Sequence, residues 1–353
     1  APRLDYSTGA EAFLLEPQST NLIPYSEDFS NASWIKTRSS ISSNSAISPD
    51  GTLNADKISE TNDTGFHAVS KTETITNGVA YTFSAFIKKG SSNFIQILFG
   101  TNNVNGNPYV NFNINEGIFQ NNGATSVNIE NYGNDWYRCS ATITTATTSL
   151  TNFISSIQSI SDGRASSFAG NVNNNIYVWG AQVEQQSYAT SYIPSAGSQT
   201  TRNQETCINA TPEINSEEGV LYAEINSFDN GTYNIWALSN LSNKEIWIGA
   251  KNGLLASSLY DGTTFVINNS VSLLDGNNKA ALKWVSGTSA EVWLNGLKVY
   301  TYTGTIPTYV ANDLTTFGQG DRQGGFPFYG NTKNLQVYTK ALSDAELIKL
   351  TTI

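Results

Sequence analysis

Two endings inside one chain constrain this sequence most. Near the middle, Ile176-Tyr-Val-Trp-Gly-Ala-Gln-Val-Glu184 runs into Ala189-Thr-Ser-Tyr-Ile-Pro-Ser195; at the end, Phe328-Tyr-Gly-Asn-Thr-Lys-Asn-Leu-Gln-Val-Tyr338 runs into Ala341-Leu-Ser-Asp-Ala-Glu-Leu347. Each reads as a last strand followed by a terminating segment, after a long series of short strands. Turn signals recur every roughly 8–12 residues with almost no helical periodicity, the pattern of sandwiches and jelly rolls. The expected fold class is all-β, two tandem β-sandwich (jelly-roll) domains, and 353 residues suffice for two.

The expected division is a lead-in at 1–20, a jelly roll at 21–197, a polar linker at 198–216 and a second sandwich at 217–353. In the lead-in, Phe13-Leu14-Leu15 before Glu16-Pro17 reads as a short strand and a stop, packing on the first domain. In the first domain, period-two alternation puts Tyr81, Phe83, Ala85 and Ile87 on one face, as it does Val110, Phe112 and Ile114, and Tyr137, Cys139, Ala141 and Ile143. A one-residue slip sends each set into water, so these faces are well specified. In the second domain, Asn295-Gly296 suits a two-residue type I′ hairpin turn between 291–294 and 297–300. Ser343 followed by Glu346 is a capping-box pattern for one helix to Leu350. Trp236, Trp247, Trp284 and Trp293 read mostly as core, with Trp284 and Trp293 facing each other across a sheet.

Charged residues make up only 14%, so Asn, Ser, Thr, Gln and Gly must carry the surface, as suits extracellular β proteins. A net charge of −10 argues against nucleic acid, whose phosphates need clustered Lys and Arg. It also disfavours docking to anionic lipid. No apolar run approaches the roughly 18–20 residues of a spanning helix, so membrane insertion is not expected. The chain starts Ala-Pro, contains no Met and shows no signal peptide, and is expected to be a fragment or processed product. Cys139, in a strand, and Cys207, in the linker, are too few for a disulfide framework, and nothing in the sequence fixes their separation.

The run Asn21-Leu-Ile-Pro-Tyr-Ser-Glu-Asp-Phe-Ser-Asn-Ala-Ser-Trp34, with Pro49-Asp-Gly51, Ala55-Asp-Lys57, Tyr81-Thr-Phe-Ser84, Asp135-Trp-Tyr-Arg138 and the closure from Gly180 to Pro194, resembles jelly-roll carbohydrate-binding modules of bacteriophage tail and virion proteins. Pro2-Arg-Leu-Asp-Tyr6 and Leu14-Leu-Glu-Pro-Gln18 occur in the same phage context. Val292-Trp-Leu-Asn-Gly296, Tyr329-Gly330, Val337-Tyr338, Ala341-Leu-Ser343 and Glu346-Leu347 make the second half similar to laminin-G-like, concanavalin-A-like sandwiches. The resemblance covers nearly the whole chain. It implies sugar binding in a virion setting and names no particular sugar; fold alone does not supply the site.

His67 is the only histidine, and no Gly-x-Ser-x-Gly elbow accompanies it, so it reads as structural. His67, Cys139 and Cys207 lie too far apart in sequence to read as a zinc site. Among 29 acidic residues no pair stands out as a glycosidase dyad; Glu116, for one, follows a strand but adjoins the turn residue Gly117. In jelly rolls of the resembling kind an ion often ties the first strand to the last. Glu27, Asp28 and Glu184 occupy such places and form the candidate set for a structural Ca²⁺, with Asp313 and Asp321 weaker candidates. The Gly318–Phe326 stretch is glycine-rich but lacks a phosphate loop's Lys-Ser/Thr ending; it reads as an irregular loop or a ligand rim. Asn31-Ala-Ser33 and Asn230-Gly-Thr232 are chance-level sequons in so Asn-rich a chain.

Sugars need rings for their C–H faces and paired polar groups for their hydroxyls. On the non-core sides of the strands, alternation places Thr82, Ser84, Phe86 and Lys88, then Tyr109, Asn111 and Asn113, then Trp136, Arg138, Ser140 and Thr142, then Gln182 and Glu184. If those strands adjoin, Phe86, Tyr109, Asn111, Trp136, Arg138 and Gln182 line a glycan-binding surface; otherwise Trp136 and Arg138 merely cover an edge. The sequence therefore leads to a non-enzymatic protein that attaches a phage virion to a bacterial surface glycan, located on the virion or outside the cell. Its partners are that glycan and other virion proteins, and a homotrimer is expected by analogy with attachment fibres. The alternatives are a structural decoration protein, a secreted adhesin, or an accessory module of a polysaccharide-degrading enzyme.

Overall fold

The computed structural model describes residues 3–5, 11–100, 106–227 and 231–353. The described residues form β-strands and one short helix, and the chain divides into two compact units. One is Gln18–Asn203; the other combines Ala1–Pro17 with Gln204–Ile353.

In the Gln18–Asn203 unit two six-stranded antiparallel sheets enclose a common core. The front sheet runs Ser126–Gly133, Trp136–Thr144, Ala80–Lys89, Asn175–Glu184, Leu53–Glu60, Ser39–Ile47. The back sheet runs Ile118–Asn122, Tyr109–Asn113, Phe94–Phe99, Ser149–Ser156, Ala68–Thr74, Ile35–Thr37. Phe83, Ala85, Ile87, Cys139 and Ala141 from the front meet Val110, Phe112, Ile95 and Ile97 from the back. Alternation expected the core positions of 81–87, 110–114 and 139–143, and each large apolar side chain removed from water contributes about 1.5–3 kcal/mol. The strand Asn175–Glu184 carries a bulge: Trp179 pairs with Phe86 and Gln182 with Ser84, one residue too many on its side. Gly180 makes this fit, at φ 62°, because a Cβ there would meet the Phe86 ring at 2.9 Å. The bulge resets the alternation, so Trp179, Gln182 and Glu184 all leave the core on the outer side.

The other unit pairs a seven-stranded sheet with a five-stranded one. The larger runs Arg3–Asp5, Ala12–Leu15, Gly330–Tyr338, Glu218–Ser227, Asn278–Val285, Ser289–Leu294, Leu297–Thr301. The smaller runs Phe265–Ser272, Leu254–Tyr260, Glu245–Lys251, Asn234–Ser239, Thr316–Gln319. The expected short strand at 13–15 is present, but the expectation that the lead-in packs on the first domain is corrected. Phe13 pairs with Thr332 and Leu15 with Gly330, and Leu15 sits in this second core at 1% exposure. Arg3 then pairs with both Glu16 and Glu205, joining the two stretches of chain that make up this unit. The polar stretch 198–216 is not a free linker. Thr200–Arg202 pairs with Ser19–Asn21, whereas Cys207 and Ala210 bond to the backbone of Gln319 and Phe317.

Asn295 and Gly296 both take positive φ, 50° and 86°, as a type I′ turn requires. The helix Asp344–Thr351 is capped by Ser343 with the full capping box to Glu346. Trp284 and Trp293 do not face each other. They lie on opposite faces of one sheet, Trp284 in the main core and Trp293 against the helix residue Leu347. Both cysteines are free, Cys139 buried and Cys207 half-buried.

Asp261 organises the turn after Leu254–Tyr260. Its carboxylate accepts from the Thr263, Thr264 and Thr308 amides at 2.9, 2.7 and 2.7 Å. Burial resists its ionisation, but these N–H groups outweigh burial and bring it down to about 2. A depressed acid stabilises above its unfolded value and loses that contribution as pH falls through its folded one. Asp261→Asn is therefore expected to lower stability at neutral pH by on the order of 1 kcal/mol, discounted for solvent screening, and to match the parent below about pH 2. Urea unfolding across pH checks this; a pH-independent difference counts against it.

Candidate functional site

Part of the expected glycan surface is assembled. In the front sheet Arg138 pairs with Phe86 and Trp136 with Lys88, and Gln182 pairs with Ser84 from the other side. Phe86, Trp136, Arg138 and Gln182 therefore share an outer face. That face is closed, which corrects the expectation. Phe86 and Trp136 are 2% exposed, Arg138 4% and Gln182 0%. The chain turns back after Glu184 and lies over it. Thr82 and Thr142 donate to the Gln186 and Ser187 carbonyls at 2.9 and 3.2 Å. Gln182 Oε1 accepts from the Ile193 amide at 2.8 Å, and Tyr192 packs on Trp179 with ring centroids 4.7 Å apart. The Trp136 indole donates to the Ile47 carbonyl, and Arg138 donates to Ser84 with its guanidinium 5.3 Å from the Phe86 ring.

Tyr109 and Asn111 belong to the back sheet, so the six residues do not form one surface. Asn111 is fully buried. It accepts from Gln96 at 2.7 Å and donates to the Ile160 and Asp162 carbonyls, pinning loop 157–165 over its own sheet. Amides expected to meet sugar hydroxyls thus satisfy backbone groups of two crossing loops, which such groups require once buried.

The candidate calcium set is likewise dispersed. Glu184, 0% exposed, accepts from Ser19 Oγ at 2.6 Å, Thr190 Oγ1 at 2.6 Å, Gln182 Nε2 at 2.7 Å and the Thr190 amide at 2.8 Å. Its lone pairs face donors, where a hard cation needs them free. Glu27 accepts from Tyr192 and Asn54; burial pushes its carboxyl up, the Tyr192 hydroxyl opposing. Asp28 caps its own turn through Ser30 and the Asn31 amide. Asp313 pairs with Lys244, and Asp321 accepts from the Gln323 and Gly325 amides. Among the described residues no three His, Cys, Asp or Glu converge on a metal position. His67 is 1% exposed, with Nδ1 2.7 Å from the Arg38 carbonyl, which places a proton on Nδ1; a Cβ at Gly170 would strike its ring at 2.3 Å.

An accessible site lies elsewhere in the same unit. A hollow of about 520 Å³ is lined by Gln18, Ser19, Thr20, Leu22, Thr74, Ile75, Thr76, Tyr81, Gln185, Gln186 and Gln199. Four pieces of chain build it: the entry strand, the 74–81 turn, the residues just past Glu184, and the approach to Thr200–Arg202. Its floor is apolar, Ile75 and Tyr81 belonging to the core and Leu22 packing against it. Its rim is polar and exposed at Gln18, Thr74, Thr76, Gln185 and Gln199. Tyr81 fixes the corner by accepting from the Thr76 amide at 3.0 Å and donating to Gln185 Oε1 at 3.2 Å. That bond engages the Gln185 amide through Oε1. Gln186 donates to the Gln18 carbonyl at 3.2 Å, holding the far side. The Tyr81 ring and aliphatic carbon below, amides and hydroxyls above, match a sugar's two kinds of surface. The signal in the sequence is the Gln185-Gln186 pair at the first closure and Gln199 just past it, far from Gln18.

The Gly318–Phe326 loop folds over its own sheet. Arg322 pairs with Glu245 at 2.6 Å, and Asp321 closes the turn from within. A smaller hollow of about 240 Å³ in this unit, between Asn226, Lys251 and Asp275, carries both charges.

No family model matches the chain, and no curated protein matches it in sequence. Among solved structures it is similar to a leech intramolecular trans-sialidase complexed with 2,7-anhydro-Neu5Ac: 21% identity, TM-score 0.34, over 39% of this chain and 24% of that one. It is also similar to the Ruminococcus gnavus IT-sialidase CBM40, with 16% identity and TM-score 0.33, over 42% of this chain and 97% of that one. Mouse laminin α1 domains LG4-5 align over 80% of this chain and 89% of that one, at 11% identity and TM-score 0.27. These likenesses are partial in both sequence and shape.

Proposed function

We propose that this chain is a non-enzymatic carbohydrate-binding protein whose ligand lies in the glutamine-rimmed hollow of the Gln18–Asn203 unit. The observation that carries the reading is the pairing of an apolar floor (Leu22, Ile75, Tyr81) with a rim of neutral amides and hydroxyls. The resemblance of 21–34 and of the 180–194 closure to phage modules supports a virion or extracellular setting, with a bacterial surface glycan and neighbouring virion proteins as partners. A homotrimer belongs to the same proposal, by analogy with attachment fibres. Such sites are individually weak and gain avidity from repeated copies.

Gln185→Ala is expected to weaken glycan retention about tenfold, the loss of roughly one good hydrogen bond, and to lower the melting midpoint only slightly through the lost Tyr81 contact. Gln182→Ala is expected to reduce folding stability. Glycan-array retention and calorimetry on both variants check this. Retention unchanged in Gln185→Ala would remove the hollow as the site. The covering of Phe86, Trp136, Arg138 and Gln182 on the front sheet and of Asn111 on the back favours a second reading, a structural decoration protein, and the absence of any glycan retention would select it.

A further inference from the structure

We infer that the hollow selects uncharged sugars and discriminates against carboxylated ones such as uronic and sialic acids; this rests on the carbohydrate-binding reading above. Among the described residues no Lys, Arg or His contributes to its lining. A bound carboxylate would leave water without a charged partner, and an ion so placed is far costlier to desolvate than a hydroxyl. The rim chemistry reinforces this. A glutamine amide presents a donor end and an acceptor end, and sugar hydroxyls and acetamido groups answer both. A carboxylate only accepts, so every amide oxygen facing it would repel.

The neighbouring charges do not compensate. Glu73 adjoins Thr74 and Glu184 adjoins Gln185, so the acids flanking the hollow along the chain carry the wrong sign. Lys71 is directed at Glu73, 3.3 Å away. Arg202 pairs with Ser19 across the two-stranded sheet and donates to the Ser191 carbonyl at 3.1 Å. The net charge of −10 adds a long-range field against anionic ligands.

The test uses the intact chain on a panel of neutral, N-acetylated, uronic and sialylated oligosaccharides, with Gln185→Ala and Thr76→Lys beside it. Thr76 is exposed, and its contact with Tyr81 runs through its backbone amide, so a lysine there adds a cation without removing a tie. The parent is expected to retain neutral members well above carboxylated ones, and Gln185→Ala to lose the neutral ones. Thr76→Lys is expected to raise retention of carboxylated members about three- to tenfold at low salt, a gain that fades near 1 M salt, where the screening length is about 3 Å. Parent retention of carboxylated members above neutral ones, lost in Gln185→Ala, overturns the selectivity and leaves the binding reading standing. Retention of nothing, or retention indifferent to Gln185→Ala, overturns the binding reading and the selectivity with it.

Discussion

Glu184→Ala is expected to destabilise the Gln18–Asn203 unit by about 3 kcal/mol, because it leaves several buried neutral donors without their shared acceptor. The side chain is inaccessible and accepts four hydrogen bonds from Ser19, Gln182 and Thr190, tying the entry strand and the 190–195 segment to its own strand. Truncation strands these donors where water does not enter, and each stranded group costs about 1–3 kcal/mol, less than additively because the bonds share one acceptor. Glu184→Gln keeps the volume but turns an NH₂ group toward donors, and is expected to fall between parent and alanine variant. Urea unfolding of the intact chain reads the size of the loss. Hydrogen exchange locates it, since the amides of 185–195 are expected to open first. A variant within about 0.5 kcal/mol of the parent, the spread of an ordinary surface change, would show that the carboxylate does not hold this segment.

That network also marks where reading the sequence stops. Alternation in 81–87, 110–114 and 139–143 identifies the core face, because slipping any of these strands by one residue exposes Phe83 or Phe112 and buries polar neighbours. Alternation says nothing about what lies beyond the outward set. Gln182, Arg138 and Asn111 look alike in sequence whether they face sugar, water or their own chain. Asn111 and Gln182 bond to backbone groups of loops that carry no side-chain signature, and Arg138 to Ser84 on the next strand, so the amide-and-aromatic composition that reads as a lectin face also describes an internal anchor. Gly180 is the one local clue to the bulge that turns Trp179 outward together with Gln182 and Glu184. Long-range pairing is illegible for a related reason. Ala12–Leu15 is recognisable as a strand, but which edge it joins depends on where Gly330–Tyr338 lies, more than 300 residues away. The hollow itself combines four segments, and no spacing rule links Gln18 to Gln185.

The second large effect concerns Arg322 and Glu245. Arg322 binds the carboxylate twice, through its guanidinium at 2.6 Å and its backbone amide at 2.9 Å, and its guanidinium lies 4.6 Å from the Tyr260 ring centroid. Glu245 is 3% exposed, so Arg322→Ala leaves a carboxylate with one remaining amide donor in a closed site, and a loss of about 3 kcal/mol is expected at neutral pH. Glu245→Ala leaves a half-buried guanidinium and is expected to lose somewhat less. The double variant, with neither charge to strand, is expected to be more stable than the two separate losses imply, by about 1–3 kcal/mol of coupling. The pH dependence separates charge from packing. Burial already pushes the Glu245 carboxyl above its ordinary value, with the Arg322 amide and guanidinium opposing. A raised acid penalises the folded state once pH exceeds its folded value, and the penalty vanishes below the unfolded one. Removing Arg322 raises the carboxyl further, so the deficit of Arg322→Ala is expected to be largest near neutral pH, to shrink as pH falls from the variant's folded value towards the parent's, and to be gone at the ordinary carboxylate value of about 4.3. If the variant were equally weakened at pH 4 and pH 7, the loss would come from loop packing alone, and the ion pair would not be what holds the 318–326 loop against its sheet.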